Sequence, residues 1–224
     1  MNYKQVLIIV GFIVLGCKNE ESKKVLVEKD LTVAERIAKA HGYDNWDNVN
    51  RIEFTFKVDR EGQSGSGRHW AWEPKNDAIT LTTSNDTISY NRKSIDSLSQ
   101  RADRAFINDK FWLLFPFQLV WDEGITISEP EQVNAPISNE LVNKIVLTYG
   151  NEGGYTPGDA YDIYYDDNYI IKEWGFREGN AEEASLVNTF ETYKDFNGIK
   201  IATEHKQKDK DWNLNFADIK VIVE

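Results

Sequence analysis

"FINDKFWLLFPFQLVW", Phe106 to Trp121, is the stretch on which the reading of this chain turns. Eleven of its sixteen residues are apolar, more than one face of a surface helix uses. Asn108 is placed to cap a short helix and Pro116 to break it. Just upstream, Ile95, Leu98, Ala102 and Ala105 recur at helical spacing. Further out on both sides the pattern is of strands. In "RIEFTFKV", Ile52, Phe54, Phe56 and Val58 alternate with polar residues, the signature of a strand with one wet face. "RHWAWE", "AITLTT" and "TISYN" continue the alternation before the block. After it come "KIVLTYG" and "AYDIYYDDNYIIKEWGF", where "YDDNY" marks a tight hairpin. Three more strand-like runs follow: Leu186 to Tyr193, Gly198 to His205 and Leu214 to Val223. Antiparallel alternation this long predicts an α+β, mainly β, fold: a strongly curved antiparallel sheet, an open half-barrel, with helices on its concave side. Only the helices can cover the inner face. One of them is early: Thr32 and Glu35 have capping-box spacing, Val33, Ile37 and Ala40 share a face, and Gly42 supplies a stop.

The N-terminus sets where such a domain sits. After Lys4 the chain is apolar from Val6 to Leu15. That is too short to span a bilayer core, which takes about 20 helical residues, and suits the hydrophobic region of a secretory signal. Gly16 precedes Cys17, the only cysteine. "VLGCKNEE" looks like a bacterial lipobox, with Leu15 where small residues are commoner. The resemblance implies diacylglycerol on the Cys17 sulfur and cleavage just before it. Residues 1–16 are then a lipoprotein signal peptide, 17–30 a flexible tether and 31–224 a single domain. Lys18, Glu20 and Glu21 resemble the surface-export signal of Bacteroidota lipoproteins; an ordinary solvated linker reads equally well.

The architecture and two stretches carry a further resemblance. "FWLLFPFQLVWDEGITI" contributes Trp112, Pro116, Phe117, Leu119, Asp122 and Gly124, and "YKDFNGIKIATEH" spans Tyr193 to His205. With the lipid anchor, early helix and helical plugs, they resemble the LolA/LolB-like half-barrel superfamily, and within it lipoproteins from Bacteroidota. The resemblance implies an apolar cavity between sheet and helices that carries lipoproteins or lipids. It brings no defined catalytic or binding motif.

Composition narrows the classes. The chain has 26 basic and 37 acidic residues, a formal charge of −11, which argues against nucleic acid and anionic head groups as partners. With Cys17 acylated no thiol is left, so disulfides, cysteine nucleophiles and thiolate metal sites are excluded. His41, His69 and His205 lack metal-ligand spacing; His41, at a helix end, suits a cation facing the dipole. Asp159, Asp162, Asp166 and Asp167 cluster around one hairpin but do not match a calcium loop. "EGQSGSG", Glu61 to Gly67, reads as a hairpin loop. No nucleophile elbow or nucleotide fingerprint is present. The expectation is no enzyme, no cofactor and no metal.

The aromatic block remains. Either it completes a closed core, or it lines a cavity in which Phe111, Trp112, Phe115, Phe117 and Trp121 face Trp70, Trp72 and Trp174 on the sheet. In the second case these residues bind a lipid or a lipoprotein acyl chain by burial, at roughly 25 cal/mol per Å² of apolar surface. The expected setting is an outer-membrane lipoprotein, facing the periplasm or the cell surface. Its partners are then the membrane, through the N-terminal lipid, and acyl chains, and the chain is expected to be monomeric. A module that binds glycan or protein through exposed Trp70, Trp72 and Trp174 is the alternative, as is an enzyme acting on envelope lipid or glycan.

Overall fold

A computed structural model describes residues 30–224. The expected signal peptide, Cys17 and the expected tether up to residue 29 lie outside the described residues.

Thr32 caps the first helix, α1 (Val33–Ala40), with both arms of the capping box in place: its hydroxyl accepts from Glu35 N, and the Glu35 carboxylate accepts from Thr32 N. The buried face is Ala34, Ile37 and Ala38, one position round from the expected stripe. Gly42 then turns the chain at φ +93°. Only glycine fits there, since a Cβ would lie 1.8 Å from Gly198 O.

Ile52, Phe54 and Phe56 are buried along β1 (Val49–Arg60), as their alternation predicts. The glycine-rich loop leads to β2 (Arg68–Glu73), followed by the meander of β3 (Ala78–Thr82) and β4 (Thr87–Asn91). Helix α2 (Gln100–Leu113) runs straight through Asn108, which does not start a helix. Instead Asn108 bonds Asp109 and Tyr155. Ile95 and Leu98 precede the helix and are exposed. Pro116 opens α3 (Phe115–Trp121), where the first-turn amides need no partner, so the break falls at Leu114.

The second half supplies β5 (Ile125–Ile127), β6 (Glu131–Asn134), β7 (Leu141–Tyr149), β8 (Ala160–Tyr165), β9 (Ile171–Arg177) and β10 (Leu186–Thr189). It closes with β11 (Glu191–Phe196), β12 (Ile199–Lys206) and β13 (Trp212–Val223). All pairings among the described residues are antiparallel, and neither sheet closes on itself. The expected mainly β, α+β half-barrel class holds, with the strands divided between two sheets. Sheet A runs β11-β12-β13-β1-β2-β3-β4, and sheet B runs β10-β9-β8-β7-β5, with β6 also on β7. The run expected as one strand, Leu186 to Tyr193, passes from B to A at Phe190. At this seam no ladder joins β10 to β12. His205 Nδ1 meets Thr189 O at 3.1 Å, and Lys206 N donates to Thr189 Oγ1 at 3.0 Å.

Both sheets face the same helices, which puts the helices on the concave side. Phe106 of α2 packs on Trp70 and Trp72 of sheet A. Six residues on, Trp112 meets Trp174 of sheet B and His205 of sheet A.

Candidate functional site

The helix layer is attached to the two sheets in different ways. Toward sheet A it is bolted. Asp109 of α2 accepts two 2.7 Å bonds from Arg68 and one of 2.8 Å from Trp70 Nε1. Arg92 donates to Asp103 at 2.9 Å. Toward sheet B the contact is rings. Trp174 of β9 takes Trp112 at 4.4 Å and Phe115 at 4.8 Å between centroids, and Phe111 meets Tyr161 of β8 at 5.4 Å. Among the described residues, no α2 or α3 side chain hydrogen-bonds a strand of sheet B. The polar ties lie at the margin: Tyr155, in the β7–β8 loop, donates to Asn108, and Tyr149 of β7 donates to Asp122, just past α3.

Between α1 and α3 on one side and the β5 and β8–β9 parts of sheet B on the other lies a groove of about 850 Å³. Leu31 and Val33 at the start of α1 and Leu119 of α3 form one wall. Ile125 and Ile127 of β5 and Tyr165 and Tyr169 of the β8–β9 turn form the other. Tyr165 and Tyr169 stack 15° from parallel, and Arg36 reaches across from α1 to donate to Tyr169 Oη at 3.2 Å. The rim is acidic: Asp122, Glu129, Asp166 and Asp167. Asp166 is spent on its own turn, accepting from Asn168 N and Ile170 N.

Asp122 also faces a smaller pocket of about 290 Å³ that Lys110, Gln118, Trp121 and Phe111 line. Gln118 bridges the two charges. With its amide oriented to match donors to acceptors, its nitrogen donates to Asp122 at 2.9 Å and its oxygen accepts from Lys110 Nζ at 3.3 Å. Burial lowers the Lys110 ammonium to about 8 and raises the Asp122 carboxyl above its ordinary value.

The rings singled out in the sequence come together in two networks. Trp70 and Trp72 share Phe106, and Trp72 meets Trp46, which in turn meets Trp121 and Phe117. Phe111, Trp112 and Phe115 gather on Trp174. Trp70, Trp72 and Trp174 are 0, 8 and 2 % exposed, so they offer no open platform to a sugar or a protein. Phe111 and Trp121 reach the small pocket, and none of the eight lines the large groove. The groove residues Leu31, Ile125, Ile127, Tyr165 and Tyr169 were not singled out. Their sequence signal is faint, the short "GITI" run and the two tyrosines flanking a turn. Trp46 was missed because it lies in a short 3-10 helix between α1 and β1.

One histidine differs from expectation. His41 is not a cation facing a helix dipole: it is wholly buried, with Nδ1 on Ile37 O at 2.8 Å, and desolvation lowers it to about 4. His205 is equally buried and lowered to about 3 for the same reason. His69 Nδ1 lies 3.0 Å from Thr55 Oγ1 on the neighbouring strand. Asp162 pairs with Arg177 at 3.3 Å, while Asp166 and Asp167 sit in the β8–β9 turn.

No protein-family model matches the sequence, and no curated protein matches it. Among solved structures, the fold is similar to that of a LolA superfamily protein, NE2245 from Nitrosomonas europaea, with a TM-score of 0.46 and 11% sequence identity over 87% of this chain and 96% of that chain.

Proposed function

We propose that this is a non-enzymatic, envelope-anchored lipoprotein that binds an apolar or amphipathic ligand, a lipid or a lipoprotein acyl chain, between the helix layer and sheet B. The observation that carries the reading is the groove of about 850 Å³ between α1, α3 and sheet B. Behind it, α2 and α3 rest on sheet B by rings. An acyl chain sliding between them replaces ring contacts with chain contacts and, past the Tyr149–Asp122 tie at the groove, breaks no hydrogen bond from α2 or α3 to a strand of sheet B. The Asp109 bolts hold the helices to sheet A meanwhile. Burial of the chain supplies the binding free energy, and no proton transfer or nucleophile is required. Acylation of Cys17 keeps the domain at the membrane, on the periplasmic face or the cell surface of the outer membrane.

Native mass spectrometry of the full-length protein in detergent, with organic extraction alongside, tests this. The expected result is a discrete bound mass in the lipid range, lost in Ile127→Arg at an unchanged unfolding midpoint. A clean apo mass after incubation with envelope lipids overturns it.

A further inference from the structure

Buried polar side-chain atoms are rarely left without partners, because each unpaired one costs its desolvation. Here the unpaired ones gather. Of the seven such atoms among the described residues, Asp162 Oδ1 and Arg177 Nε face each other as an ion pair, and Tyr90 Oη lies beside Asp103. The other four are Trp174 Nε1, His205 Nε2 and both amide atoms of Asn188. Asn188 and Trp174 are direct cross-strand partners on β10 and β9 and so share a sheet face. Trp112 touches the rings of both Trp174 and His205. Phe190, at the seam, lies 4.4 Å from the His205 ring and 5.8 Å from that of Trp174. All three polar residues are essentially inaccessible to water.

Their chemistry is specific. His205 Nδ1 faces the Thr189 carbonyl and so carries the proton, which leaves Nε2 as a bare acceptor. Trp174 Nε1 and Asn188 Nδ2 are donors, and Asn188 Oδ1 is a second acceptor. No charged side chain pairs with the cluster, so a carboxylate, phosphate or ammonium placed there would be buried without a counter-ion. A neutral group with an N–H to give and a C=O to receive satisfies three of the four atoms and leaves one acceptor over. An ester supplies the carbonyl alone.

We propose that this nest under Trp112, at the seam between the sheets, recognises the amide linkage of an N-acylated amphiphile. The inference rests on the function proposed above and names the ligand class of the same interface. The amide carbonyl accepts from Trp174 Nε1 and Asn188 Nδ2, the amide N–H donates to His205 Nε2, and the acyl chain runs along the helix–sheet B interface toward the groove.

The test pairs two probes that differ only by N–H against O: N-palmitoylethanolamine and 2-hydroxyethyl palmitate. Each is titrated into the full-length protein, with tryptophan fluorescence and native mass spectrometry as readouts. The amide should bind about tenfold more tightly, the value of one buried charge-free hydrogen bond lost with its partner stranded. Asn188→Leu should erase that preference and raise the unfolding midpoint, since it removes two stranded atoms. Equal binding of both probes by the unaltered protein overturns the amide assignment and leaves the lipid-binding reading intact. Binding of neither probe, nor of any envelope lipid, overturns both. Preference for the amide that survives Asn188→Leu and His205→Leu, both folded, places recognition elsewhere and overturns the nest.

Discussion

Arg68 grips Asp109 through two parallel hydrogen bonds of 2.7 Å, Nε to Oδ2 and Nη2 to Oδ1, with the carboxylate wholly buried. The pair ties the second strand to the middle of α2, 41 residues away in sequence. Trp70 Nε1 shares the same carboxylate oxygen as Arg68 Nε. Asp109→Ala strands the buried Trp70 indole N–H, while Arg68, 38 % exposed, can turn to solvent. It should cost about 1–3 kcal/mol, the penalty of a buried donor left unpaired. Urea unfolding measures it; a loss below about 1 kcal/mol would show the bolt to be no stronger than a surface pair.

Trp112 is 8 % exposed and wedged against Trp174 and His205. Truncation to Ala should cost about 3–5 kcal/mol, and Trp112→Phe distinctly less. Equilibrium denaturation checks the order of the two. If Trp112→Ala unfolds at the native midpoint, the ring is not part of the core packing.

His41 and His205 make stability depend on pH. Burial holds them at about 4 and about 3 in the folded chain, against about 6.5 when unfolded. Below about pH 6.5 the unfolded chain takes up protons that the folded chain refuses. Their contribution is thus complete above that pH and falls as pH drops toward the folded values. The slope is about 1.4 kcal/mol per pH unit for each histidine. Urea midpoints followed from about pH 7 down to about pH 5 should fall, and His41→Gln should flatten the fall. A midpoint independent of pH in this window contradicts the assignment.

Cys17→Ser should abolish membrane association while leaving the folded domain unchanged. Fractionation of cells and mass analysis of the mature N-terminus decide it. Persistent membrane retention of the variant, with no acyl group on the native protein, removes the lipid anchor from the proposal.

The strands were legible where one face is wet and the other dry. Ile52, Phe54 and Phe56 show period two because β1 buries one side only. The Thr32–Glu35 capping box was legible because it is local. Asn108 misled because capping preference is local while its position was set by tertiary packing: α2 was already running from Gln100, and Asn108 found Asp109 and Tyr155 instead of an amide. The division into two sheets at Phe190 left no mark, since an apolar residue reads the same on either side of a seam. His41 could not be read as neutral, because Tyr193, which packs on its ring, comes from a strand far along the chain. The groove drew on Leu31, Leu119, Ile127 and Tyr169, residues from four separate elements, each unremarkable alone. The eight rings were legible only as large apolar side chains; their division into two networks depends on which sheet each helix turn meets.

Strand β1 pairs with β2 on one side and on the other with β13, Val49 opposite Val223 through Arg60 opposite Trp212. A hairpin can supply the first partner at once, but the second arrives from the far end of the sequence. Until then β1 shows an open backbone edge beside a row of Ile52, Phe54 and Phe56. Such edges recruit other chains, and pairings this distant form slowly. A chain that emerges from its N-terminus therefore carries this uncovered edge until its last strand appears, and anything that shields the edge for that interval spares the chain from aggregation.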